Sequence, residues 1–155
     1  MQGNLANSYE MLGRDEEALP IRREVYSETL KLHGKEHAQT LREANNYAST
    51  LKDLKHFDEA KSLLQKTMPV ARRALGASHN ITLRVRWCYA QTLYKDDAAT
   101  LDELREAVTS LEELERTARR VFGGAHPTTA GMELHLQDAR AALHAREVSP
   151  PAGDA

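Results

Sequence analysis

The chain repeats itself. Displaced by 42 residues, Asn4-Leu5-Ala6 falls on Asn46-Tyr47-Ala48, Leu12 on Leu54, and Glu17-Ala18 on Glu59-Ala60. Gly34 then meets Gly76, His37 meets His79, and Thr40-Leu41-Arg42 meets Thr82-Leu83-Arg84. The register holds through Tyr47-Ala48 on Tyr89-Ala90 and Thr50-Leu51 on Thr92-Leu93, and afterwards widens to 47. Glu59-Ala60 falls on Glu106-Ala107, Ala71-Arg72-Arg73 on Ala118-Arg119-Arg120, Gly76 on Gly123 and His79 on His126, so five residues are inserted between Leu93 and Glu106. Identities scattered at one fixed offset require stacked copies of one structural unit rather than a single irregular domain.

Each copy has helical spacing. Leu41, Ala44, Tyr47, Ala48, Leu51 and Leu54 step by three or by one and make one apolar stripe. A second stripe runs through Ala60, Leu63, Leu64, Met68, Ala71 and Leu75. The polar stretch between them, Asp53 to Asp58, is long enough only for a helix–helix turn. Each unit is therefore an antiparallel helix pair, closed by Gly34, Gly76 or Gly123 as helix C-terminal glycines do. Pro127 fits the first turn of the following helix, where its missing N–H costs nothing. Thr100-Leu101-Asp102-Glu103 reads as a capping box.

The expected layout is seven helices over 2–12, 15–33, 38–54, 57–75, 80–96, 101–122 and 127–146. This predicts an all-α fold: an α-solenoid of about three helix pairs (1–37, 38–79, 80–126) with a C-terminal capping helix over 127–146. Residues 148–155, with two prolines and nothing to bury, are expected to form a disordered tail.

Composition narrows the function classes. With 21 Lys and Arg against 23 Asp and Glu, the net charge is −2, which lacks the basic face that nucleic acid requires. The apolar runs fall short of the roughly 20 residues that cross a bilayer, so no membrane contact is expected. The single cysteine, Cys88, excludes an internal disulfide framework and fits a cytoplasmic location.

These residues resemble the tetratricopeptide repeat, in the 42-residue form found in kinesin light chains and related adaptors. That form repeats a pattern close to N-N-L-A-x-x-Y, then G-x-Y-x-E-A, then L-G-x-x-H-P-x-T. The first element appears here as Asn4-Leu5-Ala6-Asn7-Ser8-Tyr9 and as Asn45-Asn46-Tyr47-Ala48. The second appears as Asp15-Glu16-Glu17-Ala18-Leu19-Pro20 and Phe57-Asp58-Glu59-Ala60, the third as Leu75-Gly76-Ala77-Ser78-His79 and Phe122-Gly123-Gly124-Ala125-His126-Pro127. The resemblance spans residues 3 to about 130. Cys88 and His135 depart from its second Asn, and Ala38 and Asn80 from its Pro.

The resemblance implies a non-catalytic protein-interaction module in which the first helix of each pair lines a concave groove. The groove-facing residues are then Arg42, Asn45, Asn46 and Ser49 on the third helix, with Asp53 beyond them. Arg84, Gln91 and Lys95 follow on the fifth helix beside Cys88, and Asn4 and Asn7 on the first. Asn side chains both donate and accept, as the backbone of an extended peptide requires. Arg42 and Arg84, one repeat apart, suit acidic side chains or a terminal carboxylate. The competing reading is structural: Asn46 bonds a neighbouring helix and the arginines pair with nearby carboxylates. Trp87 is either a groove anchor or packed.

Enzymatic and metal roles are not expected, nor is any cofactor. His37, His79 and His126 recur one per repeat, and layers about 10 Å apart keep them from sharing an ion at bonds of about 2 Å. A Cys within a packed helix is usually inert. At the N-terminal end, Leu5, Tyr9 and Leu12 lack a covering helix, whereas Gln137, Asp138, Arg140 and Arg146 give the last helix a polar outer side. The chain is accordingly expected to be the C-terminal part of a longer array, or to self-associate through its first helix.

Overall fold

The computed structural model describes residues 2–149, and among them it holds seven helices and no strand. They are α1 (Gln2–Met11), α2 (Asp15–His33), α3 (Ala38–Asp53), α4 (Phe57–Leu75), α5 (Asn80–Lys95), α6 (Leu101–Phe122) and α7 (Pro127–Val148). The all-α layout of consecutive helix pairs is the one expected. Helix α7 runs two residues beyond the expected 146, so Val148 is helical rather than part of a tail. The rest of that tail, 150–155, lies outside the described residues.

Two compact units divide the chain, one ending at Cys88 and the other starting at Tyr89, so the division falls inside α5. In the first unit, α1 packs on α2, α2 on α3, and α3 on α4. In the second, α6 packs on α7.

Positions one repeat apart do the same job. Ala6, Ala48 and Ala90 are all fully buried, as are Ala18, Ala60 and Ala107. Within the first unit, Thr40 Oγ1 donates to the Thr29 carbonyl at 3.4 Å, and Thr82 Oγ1 donates to the Ala71 carbonyl at 3.2 Å. Both members of the second pair lie 42 positions after those of the first. A buried hydroxyl must find an acceptor, and in both repeats this one takes a carbonyl of the preceding helix.

The recurring histidines have a defined task. His37, His79 and His126 each accept through Nδ1 from the backbone N–H two positions on, at 3.1 Å in every case. They satisfy one of the donors that the first helical turn leaves orphaned. Helices α2, α4 and α6 end at Gly34, Gly76 and Gly123, whose N–H groups bond the carbonyls of Leu30, Arg72 and Arg119. The capping box at Thr100 and Glu103 is present, and Pro127 opens α7.

The turns inside the first two pairs also match. Arg14 N–H bonds the Tyr9 carbonyl and His56 N–H bonds the Leu51 carbonyl, both at 2.8 Å. Each turn places one residue in the left-handed region: Gly13 at φ 71° in the first, Lys55 at φ 63° in the second. The five inserted residues form a longer turn in the second unit. Ala98 N–H bonds Asp96 Oδ1 at 2.9 Å, and Arg146 reaches from α7 to the Ala99 and Asp97 carbonyls at 2.8 and 3.1 Å. Arg140 likewise pairs with Glu112 of α6 at 3.1 Å, and Leu134 is exposed, so the outer side of α7 is less uniformly polar than its sequence implied.

Candidate functional site

The side chains expected to hold a peptide arise from one stripe on α3. Leu41, Ala44, Ala48 and Leu51 are buried and fix the rotation of the helix. Arg42 consequently stands in solvent, with Asn46 and Ser49 half-buried beside it at the helical spacing of four and three residues. Asn46 Nδ2 lies 3.5 Å from Glu43 Oε2, the outer limit of a hydrogen bond. Asn45 is half-buried, and its side-chain oxygen is buried without a hydrogen-bond partner among the described residues. Arg84, 42 positions after Arg42, is exposed on α5 in the same unit.

Neither Arg42 nor Arg84 has an ion-pair partner among the described residues. Other arginines do: Arg14 pairs with Glu17, Arg73 with Glu36 at 3.1 Å, Arg105 with Asp102 at 3.3 Å, and Arg140 with Glu112 at 3.1 Å. The two guanidiniums therefore keep their donors available to an incoming anion.

The remaining expected residues fare differently. Asn7 is exposed, but its Oδ1 accepts a hydrogen bond from Arg22 Nη2. The same buried arginine donates to Glu10 at 3.0 Å from Nε and 2.6 Å from Nη2, and Thr50 Oγ1 of α3 also donates to Glu10. Asn7 thus serves a network that fastens α1 to α2 and α3. Burial pushes the Glu10 carboxyl up, but the hydrogen bonds from Arg22 and Thr50, together with the arginine charge, outweigh that and hold it below its ordinary value.

Gln91 is buried, at 8% exposure, and Cys88 beside it at 5%. Gln91, expected on the peptide-facing side, therefore has little exposed surface. The reason lies in α5 itself, whose Ile81, Leu83, Val85, Tyr89, Ala90 and Leu93 are also buried, so the helix is enclosed on several sides. Lys95 is exposed at the end of α5, in the second unit, and Asn4 is exposed on α1. Trp87 is half-buried.

The Arg22 network is marked by no repeat and no motif in the sequence. Arg22 sits on the apolar side of α2, where the one available signal was a charged residue inside an otherwise helical core stripe. Among the described residues, no three His, Cys, Asp or Glu side chains gather as a metal would need, and no helix is long and apolar enough to cross a membrane.

The geometry defines a class: an all-α chain of consecutive two-helix repeats. Residues 1–73 match the tetratricopeptide repeat family. The fold is that of kinesin light chain-like repeats. A crystal structure of Podosopora anserina kinesin light chain nearly identical TPR-like repeats has a TM-score of 0.70 and 22% identity, covering 94% of this chain and 67% of its own. A second crystal structure of those repeats, carrying a substitution, gives 0.73 and 22%, with coverage of 94% and 66%. The chain thus spans about two thirds of the length of those structures, and at this identity the likeness is one of fold. No curated protein matches the chain. The resemblance to the kinesin light chain-like repeat, drawn from three sequence motifs, is borne out.

Proposed function

We propose that the chain is a non-catalytic, cytoplasmic protein-interaction module. It binds an extended peptide carrying acidic side chains or a free carboxylate, with Arg42 and Arg84 taking the anion. Asn46 and Ser49 supply hydrogen bonds to the peptide backbone, and Asn4 extends the same polar strip. The observation that supports this reading is the exposure of two arginines one repeat apart, with no carboxylate of the described chain on either. A planar guanidinium offers paired donors to a carboxylate, which makes arginine better suited than lysine to the task.

A second reading rests on α1, where Leu5 is 48% and Leu12, just past its end, 71% exposed. Such side chains favour packing of α1 on another apolar surface, with the module acting as a structural segment or self-association arm.

One experiment separates the two. A fluorescein-labelled decapeptide rich in Asp and Glu, and its Asn/Gln counterpart, are titrated in fluorescence polarisation, with sedimentation velocity on the same samples. The groove reading expects the acidic peptide to bind at least about tenfold more tightly, since charged hydrogen bonds contribute roughly 1.5–3 kcal/mol each. Arg42→Glu with Arg84→Glu should remove that preference without altering the sedimentation. Equal binding of both peptides, or a preference that survives the double reversal, overturns it. Assembly lost in Leu5→Asp but unchanged in the arginine variant favours the second reading.

A further inference from the structure

A cavity of about 250 Å³ opens in the first unit between α2, α3 and α4, away from the polar stripe just described. Its floor is apolar: Leu30 of α2, Leu41 and Ala44 of α3, and Val70 of α4. Two threonines also line it, but Thr40 Oγ1 already donates to the Thr29 carbonyl and Thr67 Oγ1 to the Leu63 carbonyl. What polar chemistry remains is of one kind. Lys35 and Lys66 line the cavity, both exposed and neither ion-paired among the described residues. Tyr26, half-buried and stacked at 6.1 Å on Tyr47, makes no hydrogen bond among the described residues. No carboxylate is among the lining residues.

From this arrangement we infer a binding site for a small amphiphilic anion, of the class of a medium-chain fatty carboxylate. An apolar tail fits a floor built of Leu, Ala and Val, and burial there is favourable roughly in proportion to the area covered. The head meets two ammonium groups and a phenol, all donors, so an anion is matched and a cation is repelled. The volume lies below the roughly 300–1,000 Å³ of pockets for drug-sized ligands, which restricts the tail to a short one. Lysine suits a rim of this kind, since its stem can lie along apolar surface while the charge stays in water.

The probes are octanoate and octanol, titrated by calorimetry into the full chain, with the contact surface located by ¹⁵N chemical-shift changes. Octanoate should bind more tightly than octanol and perturb α2, α3 and α4 around Leu30, Ala44 and Val70. Lys35→Gln with Lys66→Gln should weaken octanoate by about fivefold or more, as expected for two partly solvated ion pairs, and leave octanol unchanged. Val70→Phe, which fills a half-buried wall, should weaken both probes; circular dichroism checks that each variant keeps its helices. Arg42→Glu with Arg84→Glu should leave octanoate binding untouched, which makes this result independent of the peptide groove. Equal affinity for the two probes, octanoate binding indifferent to the lysine changes, or shifts centred on α1 would each overturn the proposal.

Discussion

A single side chain decides how α1 is held. Ala6 is the one buried residue of that helix among those described, so apolar burial contributes little to its docking. Arg22 compensates, buried to 4% exposure and donating to Asn7 and Glu10. Substituting Arg22→Met should lower the unfolding free energy by about 2 kcal/mol, because it leaves Glu10 and Asn7 without their cationic partner. The pH dependence follows from Glu10. Its folded value lies below the ordinary 4.5, so the unfolded chain binds the proton more readily. The stabilisation is therefore complete above pH 4.5 and is lost as the pH falls through the lower folded value. Urea midpoints measured from neutral pH down into the acid range should decline in the parent and decline less in Glu10→Gln. Parallel curves for the two proteins would exclude Glu10 as the source.

At the scale of the helix pair, one turn is built twice from unequal material. The second residue after α1 and the second after α3 share the same hydrogen bonds and the same left-handed backbone, yet one is Gly13 and the other Lys55. A side chain there brings Cβ against the following carbonyl, at a cost of roughly 1–2 kcal/mol. Glycine avoids that cost but gives up some order in the unfolded chain, offsetting part of the gain. Lys55→Gly should therefore stabilise the protein by about 0.5–1 kcal/mol, and Gly13→Ala should destabilise it by a similar amount. Nothing lies within 4 Å of a Cβ built on Gly13, so the effect there is one of backbone conformation alone. Thermal melts of both variants measure it, and a lower melting temperature for Lys55→Gly would refute the strain argument.

Across the whole chain, what the sequence reveals is whatever recurs. Ala18, Ala60 and Ala107, the helix-ending glycines and the three capping histidines all carry a period, and the period located all seven helices. The Arg22 network joins residues 12 and 15 positions apart, and Thr50 to Glu10 across 40, separations that belong to no repeat. The burial of Gln91 is not legible in its repeat position, because a helical wheel assigns one inner face, whereas α5 is enclosed on several. Pro20 and Pro69, which lie within α2 and α4, are tolerated on exposed faces, where water can take up the carbonyl left unbonded. The same contrast between periodic core and local tie predicts how the chain opens. A repeat protein is stabilised by nearest-neighbour contacts, so a helix with few of them exchanges its amide protons first. Amides of α1, with one buried residue, should exchange fastest among the helices, while those of α5, enclosed on several sides, and of α3, with seven buried residues, should be slowest. Arg22→Met should accelerate α1 further and leave α6 at its parental rate. If hydrogen exchange instead shows α1 and α6 accelerating together, the variant acts on global unfolding, and the local account of the arginine tie fails.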